Sequence, residues 1–403
     1  MDQRFGSGHV VPACVVHHSE KQSAVATPGA GGAKNGCYTR YAARNNHNAI
    51  AGTHDRDHPK VLETEHNLAA SLIDVGKMDE AIPHLERSLQ AARTTYGEDS
   101  LLAGQYGVRL GLVRLERGEL DTAIELIGSG IRIEDSFEAG STPGSSGRRL
   151  TLARAYAAAR RMSDAAREAD AAADIMAQFD APSMMRVVEA DQAFAHAAAG
   201  GPIPEAIGKL EEVIEGQDAG EARYKTHLPD IYTGTLHLWN GDAISAIRHL
   251  DRGVELARTQ TRVAHLAEAL TRLGHARLEN GDPAGAGQAL EEGLELLESV
   301  HFAPTPAKAE ATVGLGRVAL ANGEADVALA YLEDADCFWA EFDPDNRAAG
   351  IAALWLGQAQ AALDRPDEAE ASFARAKRLL AQSPLPADSR LLAGIDGSQE
   401  PAR

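Results

Sequence analysis

From residue 61 onward the apolar positions fall with a helical period. Leu68, Leu72 and Val75 make one stripe, and Ile82, Leu85 and Leu89 make the next. Spacings of three, four and seven put such residues on one face of a helix and leave the other face polar. Between stripes stands a turn residue with alanine five positions later. The pair recurs as Gly76…Ala81, Gly118…Ala123, Arg161…Ala166, Gly201…Ala206, Gly241…Ala246, Gly281…Ala286, Gly323…Ala328 and Asp364…Ala369. Successive turns are 40 to 43 residues apart. Self-similarity at such a period marks a solenoid of stacked units. The pattern predicts a helix on either side of each turn, eight pairs in all.

Small residues hold fixed places in this frame. Seven before the turn come Ala69, Gly111, Gly234, Gly274, Gly316 and Gly357; twelve after it come Ser88, Gly130, Ala173, Gly253, Gly293, Ala335 and Ala376, with Val213 larger. Small side chains let two helix axes approach closely where they cross. Repeats three and four depart from the frame: Arg161 stands at the turn, and Arg154 and Phe194 stand where a small residue is expected. Looser packing is expected there, with fastest hydrogen exchange near residues 150–215.

These features resemble the tetratricopeptide repeat. The stretch from His58 to Ser100, with Asp57-His58-Pro59, Asn67-Leu68-Ala69 and Tyr96-Gly97-Glu98-Asp99, is similar to the longer repeats of the kinesin-light-chain type. The resemblance covers residues 61–382 and implies an all-α, right-handed superhelical solenoid of about eight helix-turn-helix repeats making roughly one superhelical turn. It also implies a non-catalytic scaffold whose first helices line a concave groove for a protein or peptide segment. A rival implication is the C-terminal regulatory or sensor region of a bacterial protein kinase or transcriptional activator whose effector domain lies outside this chain.

Residues 1–60 break the period. They hold clustered glycines, Pro12, Pro28 and Pro59, and seven basic against four acidic residues. Such a composition cannot repay the entropy of ordering, so a disordered arm is expected. The remaining 343 residues carry 32 basic and 55 acidic side chains. The +3 arm is therefore expected to lie against the −23 array and shield its groove weakly. The full chain of 403 residues has a formal charge of −20, which argues against nucleic acid or an anionic membrane as partner. Three scattered cysteines (Cys14, Cys37, Cys337) imply no disulfide framework and point to a reducing, cytoplasmic setting. Two breaker-rich stretches, 140–147 and 383–403, read as a flexible loop and a frayed tail.

The candidate chemistry is thin. No H-E-x-x-H, G-x-S-x-G or kinase landmark occurs, and residues 28–35 lack the Gly-Lys-Ser/Thr ending of a phosphate loop. Cys14-x-x-His17 and His54-x-x-x-His58 have the spacing of zinc ligands but no matching second half. Asp343-Pro344-Asp345-Asn346 lacks the sixth-place glycine and closing glutamate of a calcium loop. Acidic pairs such as Glu211-Glu212 read as solvated surface, and Trp239, Trp339 and Trp355 as packing residues. No catalytic residue, cofactor or metal is therefore assigned.

The groove rows are more informative. Six before each turn run Ala70, Leu112, Ala155, Ala195, Thr235, His275, Arg317 and Gln358; nine before it lie Asn67, Arg109 and Arg272. With His66 and Ala70 in the first repeat, the Lys-Asn set of the carboxylate-clamp version of the fold is missing. The candidate partner-binding residues are His66, Asn67, Arg109, Thr235, Arg272, His275, Arg317 and Gln358.

Overall fold

The computed structural model describes residues 59–74, 77–137, 141–219, 226–260, 263–300, 304–381 and 385–395. The expectations for the arm before residue 59, its zinc-like and phosphate-loop-like stretches included, lie outside them. The described residues hold seventeen helices and no strand. In pairs they are α1 (Pro59–Asp74) and α2 (Met78–Tyr96); α3 (Leu101–Glu116) and α4 (Leu120–Ser136); α5 (Pro143–Ala158) and α6 (Met162–Met176); α7 (Pro182–Ala198) and α8 (Ile203–Asp218). There follow α9 (Leu228–Asn240) and α10 (Ala243–Arg258); α11 (Val263–Glu279) and α12 (Pro283–Val300); α13 (Pro306–Ala321) and α14 (Ala325–Phe342); α15 (Arg347–Ala362) and α16 (Pro366–Leu380); and finally α17 (Pro386–Ile395).

Each helix packs on the one before and the one after it, and each first helix from α3 to α13 also touches the first helix of the next repeat. First helices therefore share one face of the array. The result is a helical-repeat solenoid whose core is a chain of apolar clusters between neighbours, rich in alanine and leucine. Trp339 is fully buried in the cluster joining α13, α14 and α15, as a packing residue should be.

The small-residue positions are close-approach points. A Cβ at Gly274 would lie 2.4 Å from Leu290 Cγ, and one at Gly316 would lie 2.6 Å from Leu332 Cγ. The position seven before a turn thus receives the side chain nine after it, and the two helices of a repeat close on that contact.

Repeat three obeys this rule once its turn is read from the backbone, with Ala153 and Ala169 in one cluster; in repeat four Ala193 shares a cluster with Leu210, ten after its turn. Among the described residues, those with positive φ between the two helices of a repeat are Gly118, Arg160, Gly200, Gly241, Gly281, Gly323 and Asp364. Arg160 (φ 60°) and Gly200, not Arg161 and Gly201, end α5 and α7. The small residues at the crossing are then Ala153 and Ala193, both buried, so the expected loosening there loses its premise. Arginine in the left-handed region costs about 1–2 kcal/mol. Its guanidinium offsets this by donating to the Ala157 carbonyl at 3.1 Å and by pairing with Glu310 across the array.

Two further segments differ from expectation. Pro143 to Gly147 form the first turn of α5, because Thr142 accepts from Ser145 N at 3.1 Å and Pro143 presets the helical φ. The tail holds α17, anchored by Asp388, which is wholly buried and accepts two bonds from Arg347 at 2.5 Å. The loop at 343–346 is a cap: Asn346 accepts from Ala348 N at 2.9 Å and donates to Asp343 at 3.2 Å. Cys337 on α14 is disulfide-bonded, a crosslink that the cysteine count did not suggest. Among the described residues no helix is long and apolar enough to cross a membrane.

Candidate functional site

With the turns reassigned, the groove rows change. Six before the turn, repeats three and four present Arg154 and Phe194, while Ala155 and Ala195 are buried in the core. Nine before it, the same repeats and the fifth present Thr151, Asp191 and Tyr232. Six first helices or their entries, α3 to α13, line one cavity of about 110 Å³ with Leu112, Thr151, Arg154, Phe194, Tyr232 and Arg272 among its walls. A second cavity of about 230 Å³ adjoins it, sharing Arg154, Leu228 and His265.

Three consecutive first helices meet at one carboxylate. Arg154 holds Asp191 with Nε at 2.9 Å and a terminal nitrogen at 2.6 Å, and Tyr232 donates its hydroxyl to the same carboxylate at 2.7 Å. Burial opposes the Arg154 charge, but Asp191 and Tyr232 outweigh it and hold the guanidinium protonated. Burial and then Asp191 push the Tyr232 phenol well above its ordinary range, so it remains a neutral donor. Phe194 stacks on Tyr232, with centroids 4.3 Å apart, and on Trp239 at 5.7 Å.

A second polar run crosses repeats five to eight and contains four of the sequence candidates. Arg272 reaches the Thr235 hydroxyl at 3.3 Å, and its guanidinium lies 6.0 Å from the Phe194 ring centre. His275 meets the Glu310 carbonyl at 3.0 Å and Arg317 at 3.4 Å. Arg317 in turn pairs with Glu279 and covers the Trp355 ring at 4.3 Å. The Glu310 carboxylate takes Arg160 at 2.5 Å. Burial would raise that carboxyl, but the charges of Arg160 and Arg272 outweigh it and hold it below its ordinary range.

The other candidates do not join this run. His66 stacks on Tyr106 at 4.5 Å and feels the charge of Arg109, and neither His66 nor Arg109 is among the cavity walls. Asn67 and Gln358 are exposed; Asn67 accepts the Ser71 hydroxyl at its carbonyl, 3.0 Å. Arg154, Asp191 and Phe194 were missed because the turns of their repeats were read one residue late; Tyr232, nine before the correctly read Gly241, stood in the row but was not singled out.

Two partly buried histidines give the array an acid response. Burial and then Arg317 lower His275 to about 4; burial and then Arg109 lower His66 to about 4. In the unfolded chain both bind protons near 6.5. Between these values the unfolded state holds more protons, so stability rises with pH and falls on acidification from about 6.5 to 4. Urea midpoints at pH 7 and pH 5 should show this drop, and it should shrink in the His66→Gln, His275→Gln double variant. An unchanged slope would place the response on other groups.

Family models described as tetratricopeptide repeat match residues 60–133 and 271–347. Among solved structures, the apo form of the quorum sensor NprR from B. thuringiensis is similar at 13% identity over 86% of this chain and 95% of that one, with a TM-score of 0.54. The Cut9 and Hcn1 assembly of the APC/C is similar at 15% identity over 87% of this chain and 58% of that one, TM-score 0.50. A putative kinesin light chain from Podosopora anserina with nearly identical TPR-like repeats is 20% identical over 51% of this chain and 98% of that one, TM-score 0.38. No curated protein sequence matches the chain.

Proposed function

Because the chain is a tetratricopeptide-repeat protein by its matched segments and its fold, we propose that it is a non-catalytic interaction module whose first-helix face takes a peptide segment. The observation that carries this is one pair of charges in the cavity wall. Glu268 and Arg272 lie one turn apart on α11, a spacing that favours mutual pairing. Yet no ion pair joins them, and neither has a charged hydrogen-bond partner among the described residues. A guanidinium and a carboxylate that act on Glu310 and Arg160 only at a distance, beside Phe194 and Tyr232, suit a segment that brings its own opposite charges and an apolar side chain.

A sensor reading uses the same wall. Its support is the likeness to a quorum sensor over most of the chain, and it adds that occupation of the cavity is relayed to an effector domain.

Peptides selected from a random display library on the full chain test the proposal. Arg272→Met should weaken the selected peptides at least tenfold, about 1.4 kcal/mol, with Glu268→Gln weakening those that carry a basic residue. Selected peptides that bind both variants as they bind the parent would sink it.

A further inference from the structure

We propose that Glu211, His237 and His249 form a binding site for a divalent transition metal, Zn²⁺ by the chemistry of its donors, that ties repeat four to repeat five. The site is separate from the cavity wall and independent of the peptide reading.

The first observation is convergence. Glu211 lies on α8, His237 on α9 and His249 on α10, and their donor atoms all fall within 4.8 Å of one another. Among the described residues no other set of three His, Cys, Asp or Glu side chains does this. The fold explains the histidine pair. His237 stands four before the Gly241 turn and His249 eight after it. The same antiparallel pairing that sets Gly234 against Leu250 brings their rings to 5.6 Å, nearly parallel at 12°. Glu211 arrives from the preceding repeat.

The second observation is unmet bonding. Both ring nitrogens of His237 are buried and have no hydrogen-bond partner. Burying an imidazole in this way costs about 1–3 kcal/mol for each unmet group, and a metal at Nε2 would relieve it.

The third is what stands behind the ligands. An Asp242 oxygen lies 3.6 Å from His237 Nδ1, and an Asp230 oxygen lies 3.4 Å from His249 Nδ1. Each histidine thus has a carboxylate on its Nδ1 side, bonded for His249 and a small rotation away for His237, the arrangement that fixes the tautomer of a metal-bound imidazole and leaves Nε2 to coordinate. Asp230 is buried and held in turn by Arg252 at 3.3 Å. Nε2 of His249 faces the Arg248 guanidinium at 3.4 Å, where a neutral ring accepts. Arg248 is exposed, so its long side chain can swing into solvent when a cation takes that lone pair.

The donor set decides the metal class. Two imidazoles and one carboxylate suit zinc and its neighbours rather than calcium or magnesium, which prefer all-oxygen shells. Bonds of about 2.0–2.1 Å to a tetrahedral ion would bring the donors to about 3.3 Å apart, a closure within reach of side-chain rotation. Three protein ligands leave a fourth position for water or a partner's side chain. No sequence motif announces the set, since each ligand sits on a different helix.

The experiment uses the full chain, stripped with a chelator and titrated with Co²⁺ as a visible probe, then with Zn²⁺ in competition. One equivalent should bind with the intense absorption of a four-coordinate site. Glu211→Gln should lower Co²⁺ affinity at least tenfold, and His237→Gln should abolish the absorption. A Cys14→Ser, His17→Gln variant controls for ligands in the arm and should bind as the parent does. Zn²⁺ should raise the thermal midpoint of the parent and not of Glu211→Gln, whose side chain keeps its shape so that folding, followed by circular dichroism, is retained. If His237→Gln does not fold, Glu211→Gln decides alone. Absence of stoichiometric binding, binding unchanged in Glu211→Gln, or binding lost only in the arm variant overturns the proposal.

Discussion

Replacing Asp191 by alanine should cost the array about 3 kcal/mol, more than any other single truncation in the groove. The carboxylate is 5% exposed and is the common acceptor for Arg154 and Tyr232. Removing it leaves a guanidinium and a phenol facing each other without an acceptor. Loss of one partner of a buried pair costs about 3–5 kcal/mol, because the other charge stays desolvated. Arg154 is 26% exposed, so water recovers part of its solvation and the lower end of that range applies. The change should appear in chemical denaturation and, residue by residue, as faster exchange in α5, α7 and α9. Arg154→Met combined with Asp191→Leu should recover much of the loss, since no charge then remains unpaired. A double variant no more stable than Asp191→Ala would mean that packing, not charge, holds this junction.

The second large effect separates two glycines that look alike in a sequence. Gly130→Ala should destabilise by about 1–3 kcal/mol, while Gly208→Ala should stabilise by about 0.5–1 kcal/mol. Both lie inside helices, α4 and α8. A Cβ at Gly130 would sit 2.5 Å from Val108 Cγ2 and 2.6 Å from the Gly104 carbonyl oxygen. A backbone oxygen cannot rotate away, so α3 and α4 must part. Nothing lies within 4 Å of a Cβ at Gly208, and there only the gain from a better helix former remains. Thermal midpoints of the two variants should move in opposite directions. Shifts of the same sign would show that the α3–α4 contact is softer than this geometry implies.

How far the sequence led depended on how rigidly each feature is tied to the chain. Turn-to-alanine spacing, five residues in every unit but the fourth where it is six, is a steric requirement, so helix pairs, their order and the crossing points could all be read. Arg160-Arg161, Gly200-Gly201 and Ala165-Ala166 are tandem pairs, and either member satisfies the spacing to within one residue. The left-handed residue that decides between them is an arginine, held by bonds to Ala157 and to Glu310, 150 residues away. No local pattern reports such a partner. That slip placed Ala155 and Ala195 on the groove face and hid Arg154 and Phe194. Thr235, Arg272, His275 and Arg317 were found because their turns are glycines in register. The histidine and glutamate cluster was out of reach for another reason: its members share a place only after three helices have packed.

Arg160 bonding to Glu310, and Arg117 donating to the Val300 carbonyl at 3.0 Å across 183 residues, bear on how the chain folds. A solenoid in which each repeat touches only its neighbours folds as a one-dimensional array, nucleating anywhere and fraying from either end. Here the turns of repeats two and three are fastened to repeats six and seven, so these contacts form only after an intervening loop of more than a hundred residues has closed. Closure entropy grows slowly with length, as (3/2)RT ln n, but it must be met before either bond contributes. Folding should therefore show a slow late phase in which preformed repeats dock. During synthesis, repeats two and three would emerge with Arg117 beside Asp79 and Arg160 on the Ala157 carbonyl, and their long-range bonds would wait for residues 300–310 to be made.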